Sequence, residues 1–302
     1  MPDFCYFIIS GFVMWHTTYL TPPSPRVFLL RRIYRIAPLY WAGTIAFCAL
    51  SLYSWTFSLP PSPVTGVTHL VTSLLLLPAG PPLVYWPILG LGWTLIYEMF
   101  FYAIFAATLY LVDWQVRFTA VSLILTALVA AGFLFQPQGW LRWYTAPVIA
   151  EFAVGVAIAT WFAKGRSVLP HVAMLILTAG VAMLLLCPLP GRDLITNRVF
   201  YWGIPTALIV FGAVALEQSG VPLRSRWLNL LGDASYSLYI THIFVLGGLA
   251  IVWNKFHLWS AAQGRLSYYL LCVVVSILVG IGVYKFAERP LTRALRAKLK
   301  DK

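Results

Sequence analysis

Charge is scarce in this chain. Only 10% of its 302 residues are Asp, Glu, Lys or Arg, and just nine are acidic. A soluble protein of this length needs a polar exterior over a large surface, which so few charges cannot supply. Cysteine is sparse too: Cys5, Cys48, Cys187 and Cys272 lie inside apolar runs without CxxC spacing. They read as core-filling thiols, so neither a disulfide framework nor a metal site is expected. No internal repeat, low-complexity linker or soluble domain breaks the sequence, and 1–302 reads as one membrane domain. Walker, GxSxG and dinucleotide-binding GxGxxG motifs in the right context are also missing.

Apolar and aromatic side chains fill that space. Hydrophobic residues make up 61% of the chain, with thirteen Trp and sixteen Tyr, and the mean hydropathy is +0.82. The net charge of +12 could suggest nucleic acid. The basic residues, however, sit between apolar runs of about twenty residues, the pattern of cytoplasmic loops on a membrane protein. No nucleic-acid partner is expected. The fold class is all-α: a polytopic helical bundle in a membrane, with membrane lipid as its surroundings.

About twenty apolar residues cross roughly 30 Å of hydrocarbon. Nine candidate spans follow, at 3–19, 36–57, 92–112, 116–135, 146–163, 168–187, 200–216, 234–253 and 268–287. The run 67–77 is too short to cross and reads as an interfacial or re-entrant piece of the long loop 58–91. Arg289, Arg293, Arg296, Lys298, Lys300 and Lys302 form a basic tail, expected in the cytoplasm. Counting back puts 16 of the 21 basic residues on that side. Arg26, Arg31, Arg32, Arg35, Arg117, Lys164, Arg166, Arg224, Arg226 and Lys285 join the tail there. Met1 then falls outside the cytoplasm, without a basic signal-peptide start.

Three polar constellations stand out. Arg31-Arg32-Ile33-Tyr34-Arg35-Ile36-Ala37-Pro38-Leu39-Tyr40 places three arginines at the cytoplasmic mouth of a span, with Pro38 in its first turn. Arg32 and Arg35 share a helix face and suit a phosphate clamp, or an anchor to anionic lipid headgroups. Further on, Thr94, Glu98 and Tyr102 form an i, i+4, i+8 stripe, with Glu98 roughly 9 Å deep from the external side. That carboxyl reads as a functional group or as a structural tie between helices. In Asp233-Ala234-Ser235-Tyr236-Ser237-Leu238-Tyr239-Ile240-Thr241-His242, Asp233 can cap a helix on which Ser235, Tyr239 and His242 share a face. His242, about 12 Å in, can exchange protons, hold a hydroxyl substrate, or bond a neighbouring helix. Glu151 is a second candidate intramembrane carboxyl.

Together these segments resemble the bacterial acyltransferase-3 family of membrane O-acyltransferases. Phe7-Ile8-Ile9-Ser10-Gly11-Phe12 resembles its FxxSGF signature and Arg31 to Tyr40 its RRxxRIxPxY motif. Trp93 to Tyr102 resembles WTLxxExxFY, Ser235 to His242 resembles SYxLYxxH, and Glu288-Arg289-Pro290 the closing E(R/K)P. The resemblance implies transfer of an acyl group, often acetyl, from cytoplasmic acyl-CoA to a hydroxyl of a surface polysaccharide or other glycoconjugate. Arg32 and Arg35 match its donor-binding pair, and no permanently bound cofactor is implied. Glu98 and His242 are the candidate catalytic residues, with Trp93, Tyr236 and Tyr239 as acceptor-binding neighbours. The family's own catalytic His lies on a helix preceding FxxSGF. This sequence opens at FxxSGF, so that helix is expected to be missing from it.

The expected setting is a bacterial inner membrane. Two rival functions stay open: a transporter or flippase, for which inverted-repeat symmetry would speak, and a family member that has lost its chemistry.

Overall fold

The computed structural model describes residues 6–53, 66–78, 86–186, 199–221, 225–260 and 262–297. Cys5, Cys187, Arg192, Arg198, Arg224 and the tail from Lys298 onward lie outside them. Among the described residues all regular structure is helical. The helices are α1 (Tyr6–Thr18), α2 (Pro25–Tyr53), α3 (Val67–Leu74), α4 (Gly92–Thr108), α5 (Trp114–Phe135), α6 (Trp140–Tyr144) and α7 (Ala150–Ala163). They continue with α8 (Pro170–Leu186), α9 (Ile204–Gln218), α10 (Arg226–Asp233), α11 (Ser235–Lys255), α12 (Ala262–Val283) and α13 (Arg289–Ala297). Among the described residues six helical stretches are long and apolar enough to cross a membrane. In its described residues each of the nine apolar segments contains a helix, of which α1, α4, α7, α8 and α9 are shorter, at 13, 17, 14, 17 and 15 residues. The fold is an all-α membrane type.

Helix α2 corrects one expectation. Pro38 does not open it: the helix begins at Pro25, so the arginine motif is helical throughout and Pro38 lies mid-helix. Hydropathy marks only the apolar part of a helix. Here the start is set by Ser24, whose Oγ accepts from Val27 N (3.4 Å), with Pro25 behind it and good helix-forming arginines to follow. Pro38 has no N–H, so the Tyr34 carbonyl lacks its usual intrahelical donor.

The chain divides into two compact units. One comprises Met1–Leu29, Pro78–Tyr85 and Trp93–Leu223. Its centre is the crossing of α1 and α7, where Gly11 and Gly155 allow backbone contact. A Cβ at Gly11 would lie 2.3 Å from the Phe152 carbonyl oxygen, and one at Gly155 2.1 Å from that of Ile8. Helices α8 and α9 use Gly180 and Gly212 in the same way, as expected where close packing rather than water exclusion joins helices in lipid. Phe7 then packs against Trp93, Tyr97 and Phe152 with ring centroids 5.0–5.9 Å apart. Arg117, counted above among the loop cations, is fully buried. Its Nη2 donates to the carbonyls of Thr18 (3.0 Å) and Tyr19 (2.9 Å), closing the C-terminus of α1.

The other unit comprises Leu30–Leu77, Trp86–Gly92 and Arg224–Lys302. Helices α11 and α12 pack closely at Gly280, where a Cβ would be 2.8 Å from the Leu238 Cα. The short run 67–77 forms the short helix α3, which packs beside α2. Trp41 Nε1, in the middle of α2, donates to the Leu74 carbonyl (2.7 Å). The Ser73 hydroxyl accepts from Ile88 N (3.0 Å), and buried His69 bonds the Trp86 carbonyl through Nε2 (2.9 Å). These bonds hold α3 against α2 and against residues 86–88, and Gly92 lies against the Tyr40 ring. Trp41→Phe should keep the ring's packing but lose its bond, costing about 1 kcal/mol. Hydrogen exchange should then speed up in α3 and not in α12.

Candidate active site

Polar groups inside apolar helices form two clusters, one in each unit. In the first, the stripe on α4 faces inward: Thr94, Glu98 and Tyr102 are all buried. Both Glu98 oxygens are occupied. Tyr6 donates its hydroxyl to Oε2, while Tyr102 and Ser10 (3.2 Å) donate to Oε1. Ser10 belongs to the FxxSGF segment and Tyr6 lies one turn before it, so this carboxyl joins α1 to α4. Three hydroxyl donors hold it in a fixed position, and using it as a base requires displacing one of them. Trp93 sits half-buried one turn away, edge-on to Phe7 and Tyr97. Glu98→Gln should lower stability by about 2–3 kcal/mol, the scale of hydrogen bonds to a charged group. Thermal unfolding in detergent measures it.

The second cluster surrounds the start of α11. Tyr236 donates to the Ile36 carbonyl (2.6 Å), Ser237 to Glu288 Oε2 (2.6 Å) and Tyr239 to the Leu91 carbonyl (2.7 Å). Within four residues, α11 is tied to α2, to the helical turn before α13 and to Leu91 just before α4. The hydroxyls expected to meet substrate are thus bonded to backbone in this structure. His242 Nδ1 lies 2.7 Å from the Tyr239 carbonyl oxygen. A carbonyl can only accept, so Nδ1 donates in this bond. Asp233 does not cap α11, contrary to expectation. It ends α10, and its Oδ2 accepts from the Tyr284 hydroxyl (3.3 Å) instead.

Arg32 and Arg35 are half-buried and Arg31 is exposed. Arg296 on α13 lies within electrostatic reach of all three, and Arg35 within reach of Glu288. Among the described residues the expected arginine pair is therefore joined by Arg31 and Arg296, with buried Glu288 beside Arg35. Glu151 is buried in the first turn of α7 beside Gly203, where the helix dipole favours negative charge.

The acyltransferase-domain family matches residues 5–285. The chain belongs to the acyltransferase-3 family. The exopolysaccharide production protein ExoZ of Rhizobium meliloti (strain 1021) is 34% identical over 307 residues, covering 97% of this chain and 89% of that protein. No solved structure matches. In this acyltransferase the family-like motifs sort by unit. FxxSGF and WTLxxExxFY meet at Glu98, whereas RRxxRIxPxY, SYxLYxxH and the closing Glu288-Arg289-Pro290 meet around Ser237. Sequence reasoning did not single out Tyr6, Ser237 or Glu288 as site residues. Tyr6 stands just before FxxSGF, while Ser237 and Glu288 lie inside family-like motifs, and their partners lie far away in the chain.

Proposed function

We propose that this protein moves an acyl group, acetyl first among the candidates, from acyl-CoA at the cytoplasmic face of a bacterial inner membrane to a hydroxyl of a surface polysaccharide or other glycoconjugate. The arginine cluster carries the donor half of this reading. Arg296 lies within electrostatic reach of Arg31, Arg32 and Arg35, and Arg35 within reach of buried Glu288, an excess of positive charge suited to a ligand with several phosphates. The same reading puts the C-terminus in the cytoplasm. The acceptor class rests on the name of the Rhizobium relative, an exopolysaccharide production protein.

The reaction requires a hydroxyl oxygen to attack the thioester carbonyl while a base takes its proton. Collapse of the tetrahedral intermediate then forms the ester and expels the CoA thiolate, which receives the proton. Among the described histidines, His242 is the candidate base: it lies on the unit that carries the arginines, with its ring oriented by the bond from Nδ1 to the Tyr239 carbonyl. Glu98, held by three hydroxyls, serves to fix α1 and α4 around Trp93.

Membrane vesicles given acetyl-CoA labelled in the acetyl group provide the test. Label should pass to polysaccharide in vesicles containing the protein and not in vesicles lacking it. Absence of transfer with acetyl-CoA and longer acyl-CoA alike would exclude the donor class.

A further inference from the structure

Four guanidinium groups within reach of one another repel, and flexible arginine side chains relieve that repulsion by splaying into water. A phosphate clamp needs the opposite: a fork already aimed at its ligand. The second unit contains a group suited to that task. Glu288 is only 7% exposed, at the end of the turn Tyr284–Glu288. Its Oε2 accepts the Ser237 hydroxyl at 2.6 Å. The preceding residue, Tyr236, donates to the Ile36 carbonyl, also at 2.6 Å, and Ile36 directly follows Arg35. Two adjacent residues of α11 therefore join the backbone beside Arg35 to the Glu288 carboxylate. Each link is a short hydrogen bond to a buried group. The opposite charges of Arg35 and Glu288 act on each other across this junction, and Arg31, Arg32 and Arg296 supply the positive surroundings. Among the described residues, Asp233 also faces Glu288, and its Oδ2 accepts from the Tyr284 hydroxyl.

We propose that Glu288, held by Ser237, is a positioning residue that fixes the Arg35 guanidinium for the phosphates of the acyl donor. The carboxylate touches neither donor nor acceptor. It keeps one arginine of the cluster from swinging into water, so the clamp is preformed and less ordering entropy is lost on binding. This inference rests on the acyl-CoA reading above and assigns a role to the closing Glu-Arg-Pro segment.

Steady-state kinetics of the full chain in nanodiscs, with acetyl-CoA varied, tests the assignment. Glu288→Gln should raise the KM for acetyl-CoA about tenfold, with kcat at saturating donor within about twofold. Ser237→Ala, which retains the charge and removes one bond, should raise that KM about threefold and keep the variant set informative if Glu288→Gln does not fold. Glu288→Asp should recover part of the loss. The combined Arg35→Ala, Glu288→Gln protein should be no worse than Arg35→Ala alone within about twofold, because a residue acting through Arg35 has nothing left to position. Additive losses, or equal KM changes for donor and acceptor, would overturn the assignment. If Arg35→Ala raises the donor KM and neither Glu288→Gln nor Ser237→Ala does, this inference alone fails. If Arg35→Ala leaves the donor KM unchanged, the donor reading itself fails.

Discussion

Replacing Arg32 and Arg35 together with alanine is expected to raise the dissociation constant for acyl-CoA by about 100-fold to 1,000-fold. Each charge-assisted contact to a phosphate contributes about 1.5–3 kcal/mol, and two partly shielded ones reach about 3–4 kcal/mol. Helix α2 should survive, because alanine is the better helix former and both positions are only half-buried. Binding of acetyl-CoA to the protein in nanodiscs, with the unfolding midpoint measured alongside, separates the two effects. Arg35→Lys should recover less than half of the lost affinity, since a lysine keeps the charge but not the fork. Affinity of the unmodified protein should also fall with added salt, as a solvent-facing charge cluster requires. An unchanged dissociation constant in the double variant would remove the arginines from the donor site.

The second large effect concerns α1 and α7. A Cβ at Gly155 would lie 2.1 Å from the Ile8 carbonyl oxygen and 2.8 Å from Phe12 N. Both are backbone atoms, which cannot rotate aside as a side chain can. Gly155→Ala should therefore separate two helices that together carry Tyr6, Ser10 and the Phe7–Phe152 contact, at a cost above about 3 kcal/mol. Gly155→Leu should leave little folded protein. The control is Gly248→Ala in α11, where an added Cβ meets nothing within 4 Å. That change should be neutral or stabilising by up to about 1 kcal/mol, since alanine favours the helix. Monodisperse yield and unfolding temperature read out both. A stable Gly155→Leu protein would show that α1 and α7 do not cross at backbone contact.

Much of the architecture was legible because its causes are local. Apolar run length marked where helices occur, and an i, i+4, i+8 stripe on α4 was enough to turn Glu98 inward. The boundaries were harder. Hydropathy began the second helix eleven residues late, because an amphipathic, arginine-rich turn is as helical as an apolar one. It could not resolve the run 67–77 either, because a short apolar helix suits both an interface and a re-entrant fold. The bond from Trp41 to the Leu74 carbonyl, which holds this run against α2, links residues 33 apart in the chain.

Arg117 shows the same limit. A lone arginine between two apolar runs reads as a loop cation, yet it is the donor that closes α1, across 98 and 99 positions of sequence.

By itself, then, the sequence determined that this chain is an all-helical membrane protein whose ordered motifs resemble the acyltransferase-3 family. Composition and the spacing of apolar and polar residues act within a few turns of helix, and they need no knowledge of what packs against what. Only the tertiary structure decided what the polar residues do. Glu98 takes its donors from residues 92, 88 and 4 positions away, and Ser237 finds Glu288 across 51. Inside an apolar bundle every buried hydroxyl and carboxyl must find a partner or pay for its desolvation. Which partner it finds depends on the packing of helices that are distant in sequence.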